Sequence, residues 1–257
     1  MTAPRSMPIT PAMLEPGSLE ALAAALERSL AASSPHDIVA TVQRTLGNGR
    51  LAVVSSFGTE SAALLKIVAD VDRSIPVLFL DTGWLFEETL AYRDAVTAQL
   101  GLTDVRTISP SSAALRGDPQ RDLWHSDPDA CCRIRKVEPL RRALAPFDGW
   151  INGRKRYHGD ARAGLPLVEI DGTRLKFNPL ARAPRDEIDA IFRDAGLPRH
   201  PLESHGFASI GCMPCTSRAE PGEALRTGRW RGRDKVECGI HPDLNAATIS
   251  PDDRVAP

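Results

Sequence analysis

The residues best suited to chemistry in this chain are its five cysteines, which fall into three groups. Cys131 and Cys132 are neighbours, Cys212 and Cys215 are separated by two residues in Gly211-Cys212-Met213-Pro214-Cys215-Thr216, and Cys238 stands alone in Glu237-Cys238-Gly239-Ile240-His241. A C-x-x-C pair suits zinc, an iron–sulfur cluster or redox work. Adjacent thiolates struggle to reach two corners of one tetrahedral ion, whereas in a cubane cluster each takes its own iron. Cys131, Cys132, Cys212 and Cys215 are therefore expected as metal ligands, on an iron–sulfur cluster in preference to zinc. Unrelated buried thiols are the plainer alternative.

Cys238, with no cysteine near it, is the candidate nucleophile. Cysteine attacks as the thiolate, which nearby positive charge favours; Lys235 and His241 are the expected sources of that charge, and Glu237 opposes it. Lys136 follows Cys132 by four residues, one turn on if this is a helix, where an ammonium would offset the charge of a thiolate-bound cluster. A solvated surface position is the commoner fate of a lone lysine. Arg226, Arg229, Arg231 and Arg233 cluster around Trp230, and Arg154, Lys155, Arg156 and Arg162 form a second cationic stretch. Arginine forks suit sulfate and phosphate oxygens, although runs of charge are more often solvated surface.

A third candidate is the turn Ser55-Ser56-Phe57-Gly58-Thr59-Glu60-Ser61, which follows the apolar run Leu51–Val54 and leads into a helical pattern. A helix N-terminus presents unpaired N–H groups to phosphate, the serines add hydroxyls, and Gly58 lets backbone approach. A well-capped helix after a strand explains the same residues without a ligand. The turn lacks the Walker lysine and the three-glycine fingerprint. Asp81-Thr82-Gly83 ends another apolar run, where open sheets bind ligands.

These groups need a frame. At 257 residues, 42% hydrophobic, 25% charged and net charge −1, the chain has the composition of a soluble globular protein, and its balance argues against general nucleic-acid binding. No apolar run reaches the roughly eighteen residues that cross a bilayer. Met1 to Gly17 shows no export signal, so a cytoplasmic location is expected, where clustered cysteines serve metal or catalysis. Helical periodicity predicts helices over Ser18–Ser33 (capped by Ser18), Ile38–Leu46, Ala62–Val71, Leu85–Leu100, Cys131–Leu144 and Arg185–Ala195. Leu51–Val54, Pro76–Leu80, Val105–Ile108 and Gly149–Gly153 read as buried strands, and Val168–Ile170 with Thr173–Phe177 as a hairpin about Asp171-Gly172. Residues 109–130 show no clear period. Strands separated by helices mean an α/β fold with a mostly parallel sheet and helices on both faces. The expected divisions are an N-terminal arm and helices (1–48), a nucleotide-binding domain (49–205) and a flexible C-terminal segment (206–257).

Together and in this order, the pieces resemble the assimilatory adenylyl-sulfate (APS) reductases, relatives of the phosphoadenylyl-sulfate (PAPS) reductases and of ATP-pyrophosphatase-loop enzymes. The matching stretches, within about residues 50–241, are Ser55–Ser61, Leu80–Gly83, Cys131–Lys136, Ser209–Thr216, Gly228-Arg229-Trp230 and Glu237–His241. The resemblance implies a five-stranded sheet of the adenine-nucleotide α-hydrolase type and a 4Fe–4S cluster on Cys131, Cys132, Cys212 and Cys215, with Lys136 coupling it to the charge of the substrate. It assigns Ser55, Ser56, Phe57, Gly58, Glu60 and Ser61 to the phosphosulfate, and Leu80, Asp81 and Gly83 to the adenosine side. Arg156, Arg226, Arg229 and His241 would surround the sulfate or the nucleophile. The implied reaction, part of sulfate assimilation and cysteine biosynthesis, has Cys238 attack the sulfur of APS and expel AMP; thioredoxin or a similar dithiol then frees sulfite from the S-sulfocysteine. The paired cysteines favour APS over PAPS, while extra basic residues keep a PAPS or dual-substrate enzyme in view. An RNA-thiolating enzyme and a non-catalytic metal-binding protein are the more distant alternatives. Two departures stand out: Trp230–Lys235 is short and basic, and the extra charge in Arg154-Lys155-Arg156 makes Lys155 a competitor for the role of Arg156. No membrane or nucleic-acid partner is expected, and a homo-oligomer is compatible with the sequence.

Overall fold

The computed structural model describes residues 17–159, 162–220 and 222–241; the expected N-terminal arm (1–16) and the end of the C-terminal segment (242–257) lie outside the described residues. The sheet contains Leu51–Ser55 (β1), Val77–Leu80 (β2), Val105–Ile108 (β3), Gly149–Ile151 (β4), Val168–Asp171 (β5) and Arg174–Phe177 (β6). Its order is β3-β2-β1-β4-β6-β5. All neighbours are parallel except β5 and β6, which pair antiparallel with Val168 opposite Phe177. The resemblance implies five strands and the sheet has six: five run parallel, and the additional one is the outer arm of the predicted hairpin. Gly172, at φ 61°, makes the tight return that turns this arm antiparallel.

Alternation along β1 sends Leu51 and Val53 to one face and Ala52 and Val54 to the other. The larger core lies on the first face. It is filled by Ser18–Leu30 (α1), Pro35–Leu46 (α2), Ser61–Val71 (α3), Glu87–Leu100 (α4) and Arg185–Asp194 (α9), through residues such as Leu30, Val39, Leu65, Val96 and Phe192. The described residues before 48 thus pack into the same core as the sheet. On the second face Leu140, Leu144 and Phe147 cover Leu78 and Trp150. Gly17, not Ser18, holds the N-cap position of α1, and its N–H donates to Glu20 Oε2 at 2.5 Å. Helix α2 starts earlier than its apolar pattern suggests, because Ser34 Oγ accepts the Asp37 N–H and Pro35 suits the first turn.

The stretch without a clear period contains two one-turn helices, Ser112–Leu115 (α5) and Leu123–Ser126 (α6). Pro128–Cys132 (α7), a π turn over Arg133–Val137 and Glu138–Ala143 (α8) replace the single predicted helix. The described part of the C-terminal segment carries one 3₁₀ turn, Met213–Cys215. It is tied to the carboxyl ends of the strands, with the Met213 N–H donating to the Trp84 carbonyl at 2.7 Å and His241 stacked on Trp150 of β4.

Candidate active site

In this strand order the chain leaves β1 for β2 on one side and finds β4 on the other, so a crevice opens at their carboxyl ends. A cavity of about 200 Å³ lies there. Ser55, Ser56, Gly58, Glu60 and Ser61 line it from the β1–α3 turn, Leu80 from β2, and Asn152 and Gly153 from the end of β4. Phe57 takes a left-handed conformation (φ 47°), and its ring is wholly buried, edge-on to Phe79. Ser61 donates to the Gly58 carbonyl through both N–H and Oγ, at 3.1 and 2.7 Å.

Glu60 precedes α3 but does not cap it. Its carboxylate pairs instead with Lys155 at 2.9 Å and with His158 Nε2 at 3.0 Å. Burial opposes the charge of Glu60, but the His158 hydrogen bond and the Lys155 ammonium outweigh it and hold the carboxyl well below its usual range. No side chain caps α3 and its first turn holds no acid, so its N-terminus lies beside the cavity with backbone N–H groups left without a side-chain partner.

Four expected substrate residues are placed otherwise. The Phe57 side chain belongs to the core, and Asp81, Gly83 and Arg156 do not line the cavity. Asp81 Oδ1 accepts the Gly83 N–H at 2.9 Å, closing a local turn. Arg156 Nε donates to the Leu165 carbonyl at 2.8 Å, and Arg154, Lys155 and Arg162 are the members of that cationic stretch that line the cavity.

Cys131, Cys132, Cys212 and Cys215, all free thiols, line a second and smaller cavity. Thr216 Oγ1 fixes the C-x-x-C turn, donating to the Cys212 carbonyl at 2.9 Å and accepting from the Gly211 N–H at 3.2 Å. Thr82 Oγ1 lies 3.3 Å from Cys212 Sγ. Arg135, buried, joins the π turn to the loop after β2: Nη1 donates to the Thr82 carbonyl at 3.0 Å and Nη2 to buried Asp118 at 2.7 Å. Arg135, Asp118 and Thr82 were given no role from the sequence, whereas Lys155 was weighed there as the alternative to Arg156. Arg135 and Thr82 sit inside matching stretches, while Asp118 lies in the stretch without a period and carries no signal.

Among the described residues no three donors converge on a single ion, yet four thiols share one cavity, which suits a polynuclear group better than mononuclear zinc. Around the same cavity Trp84 Nε1, Trp230 Nε1 and Arg135 Nε are buried donors without an acceptor. The sulfurs of an anionic cluster would supply acceptors, so the residues present fit an iron–sulfur group. Burial pushes Cys131 up to about 11 and Cys132 up to about 12, so ionising these thiols calls for a cation among them.

Lys136, Cys212 and Trp230 line both cavities. Burial disfavours the Lys136 ammonium, but negative charge on the sulfurs of Cys212, Cys238 and Cys132, when they are ionised, outweighs it and favours the charged form. Cys238 closes the larger cavity from the C-terminal segment, with Arg226, Arg229, Glu237 and His241. Arg229 donates through Nε to the Cys215 carbonyl at 3.2 Å and lies 4.5 Å from the Trp230 ring centroid. Its guanidinium crosses Gly211 so closely that any Cβ there would overlap it.

Neither expected source of charge serves Cys238. Lys235 turns to Asp129. His241 is neutral: burial, with the repulsion of Lys176, Arg154, Arg162 and Arg226, holds it well below the ordinary imidazole value. The cationic groups sharing the cavity with the thiol are Lys136, Arg154, Lys155, Arg162, Arg226 and Arg229. Arg231 and Arg233 point elsewhere, to Glu223 and to the Trp124 carbonyl.

The mostly parallel sheet thus sets the β1–α3 turn and the Cys238 thiol around one cavity at its carboxyl edge, which defines a thiol-bearing α/β protein. A profile described as "Phosphoadenosine phosphosulfate reductase domain" matches residues 50–218, and the chain belongs to that family. It is 48% identical to a protein of Mesorhizobium japonicum named adenosine 5'-phosphosulfate reductase, across 86% of this chain and 87% of that one. It is 40% identical to a Gloeobacter violaceus protein named phosphoadenosine 5'-phosphosulfate reductase, across 81% and 88%. Among solved structures, the phosphoadenylyl-sulfate reductase of Candida auris superposes with a TM-score of 0.64 at 21% identity, covering 81% of this chain and 98% of that one.

Proposed function

We propose that this chain is a dithiol-dependent adenylyl-sulfate reductase, converting APS to sulfite and AMP. The reading is carried by one observation: Cys238 and the β1–α3 turn line the same cavity, and Lys136 joins that cavity to the four-cysteine one. The serine hydroxyls and free N–H groups of the turn would take the phosphosulfate oxygens, with Leu80 toward the nucleoside. Lys136, Arg162, Arg226 and Arg229 would face the charge that grows on the departing phosphate. The Cys238 thiolate attacks the sulfur; an S–S bond forms, the S–O bond to AMP breaks, and its electron pair leaves with the phosphate. A thiolate of thioredoxin or a similar dithiol then attacks Cys238 Sγ. Sulfite departs with the bonding pair, and the second thiol of the reductant resolves the mixed disulfide. The sulfur has gained two electrons and the dithiol has lost them.

Cys131, Cys132, Cys212 and Cys215 would hold a 4Fe–4S cluster, which when bound supplies a fixed charged anchor beside Lys136. Neutral His241, stacked on Trp150, would orient the end of the segment without adding charge. We place the reaction in the cytoplasm, where a reducing dithiol is at hand; among the described residues no helix is long and apolar enough to cross a membrane.

The Mesorhizobium name supports APS, and the Gloeobacter name supports the 3'-phosphorylated nucleotide as the alternative. Sulfite release from each, assayed with one reductant, decides between them: APS is expected to be turned over faster. APS alone is expected to add a sulfonate to the Cys238 peptide, seen by mass spectrometry. Normal sulfite release by Cys238→Ser would remove the nucleophile assignment.

A further inference from the structure

Glu237 sits beside the reactive thiol, and in sequence it appears only as a charge opposing the thiolate. Its carboxylate in fact bridges two arginines from different parts of the chain. Arg162 Nε donates to Oε1 at 2.5 Å and Arg162 Nη2 to Oε2 at 3.0 Å, while Arg226 Nη2 donates to Oε2 at 3.3 Å. All three side chains are largely shielded from water, where a forked pair is stronger and less screened than on an open surface. Arg226 Nη2 also donates to the Val236 carbonyl at 2.9 Å, gripping the backbone next to Glu237.

The bridge stands between two spaces. Arg162, Arg226 and Glu237 line the cavity of the β1–α3 turn, and they equally line a neighbouring cavity of about 130 Å³ bounded by Lys235 and Val236. Arg162 Nη1 lies 3.2 Å from His158 Nδ1, and His158 Nε2 reaches Glu60, so polar contacts run unbroken from the phosphate turn to the thiol segment. No helix or strand fixes residues 236–241. A segment this irregular is positioned by its side chains, and Glu237 makes the most polar contacts immediately beside Cys238.

We propose that Glu237 is the catch of the thiol segment: seated between Arg162 and Arg226, it docks Cys238 over the cavity, and its release turns the thiol toward the outer space, where a dithiol can reach it. This rests on the reading of Cys238 as nucleophile. It makes Glu237 a positioning residue.

The test is the rate at which iodoacetamide labels Cys238 in the full-length protein, followed by the mass of the tryptic peptide 236–254. Glu237→Gln and Arg226→Gln are each expected to label about tenfold faster than the native protein, and the double variant no faster than either alone. The pairing of variants separates docking from simple electrostatics. Removing a negative charge beside a thiol raises its thiolate fraction and removing a positive one lowers it, so charge alone would drive the two variants apart. A shared thermal midpoint shows that the fold is intact. Slower labelling in Arg226→Gln, additive effects in the double variant, or Glu237→Gln within about twofold of native would overturn the catch. Those results would leave the reductase reading standing. Accelerated labelling in both variants beside a fully active Cys238→Ser would sink the nucleophile and keep the catch.

Discussion

Lys136 presents one ammonium to two spaces, lining the thiol cavity on one side and the cavity of the β1–α3 turn on the other. The neighbouring sulfurs, when they are ionised, favour its charged form despite burial, so it can meet negative charge arising in either space. A preorganised cation at a developing oxyanion is worth roughly 10²–10³ in rate. Lys136→Ala is accordingly expected to lower kcat for sulfite release about 100-fold while the protein keeps its fold. A kcat within about threefold of native, measured at saturating nucleotide, would show that the ammonium takes no part in the step. The spacing of Lys136 from Cys132 was visible in the sequence, but its burial was not, nor was the approach of Cys212 and Cys238, which are distant in sequence. His241 makes the opposite case. Its position beside Cys238 suggested a cation, and burial, reinforced by Lys176 and the arginines gathered by the fold, keeps it neutral.

At the scale of elements, the joints between helices and loops set the geometry. The π turn over Arg133–Val137 buries Arg135, whose contacts with Thr82 and Asp118 tie the adjacent cysteines to the loop after β2. Another joint links α4 to the 3₁₀ turn Pro201–His205 through His200, which is buried. Its Nδ1 accepts the Leu202 N–H at 3.2 Å, so its Nε2–H donates to Thr89 Oγ1 at 3.1 Å and the ring is neutral. Burial lowers His200 to about 4 from 6.5. Between these values the unfolded chain binds the proton and the folded one does not, so stability rises with pH across this window and is lost as pH falls through it. The loss expected from this group is about 3 kcal/mol, complete below its folded value. Denaturant unfolding of native protein and His200→Gln, measured from pH 7 to pH 4, should show a shallower acid slope in the variant. Equal slopes would mean that His200 is not a buried neutral joint. Helical periodicity located α4 but not this contact, because a histidine bonded to a threonine 111 residues away leaves no local pattern.

For the whole molecule, the sheet order decides that the β1–α3 turn, the end of β4 and the described part of the C-terminal segment meet in one crevice. The thiol cavity extends this meeting, since Cys131 and Cys132 approach from the α7 end and Cys212 and Cys215 from the segment laid across it. Protein purified without oxygen is expected to be brown and to carry about four irons per chain. Cys131→Ser is expected to lose iron and APS turnover together, read by metal analysis and sulfite assay. Full turnover by an iron-free variant would show the cluster to be dispensable.

The linear chain already contained the α/β alternation, the grouping of five cysteines and the turn before α3, because backbone periodicity and the chemistry of a short motif are local properties. It also held the matching stretches that mark the family. It did not contain the pairing of Glu60 with Lys155, the burial of Phe57, the turning away of Arg156 or the bridging of Arg162 and Arg226 by Glu237. Which of many arginines faces the cavity depends on where the carbonyl or carboxylate that each one bonds is placed, and that is settled by distances in space. A charge acquires its partner, and a thiol its neighbours, only when strands far apart in the chain have been laid side by side.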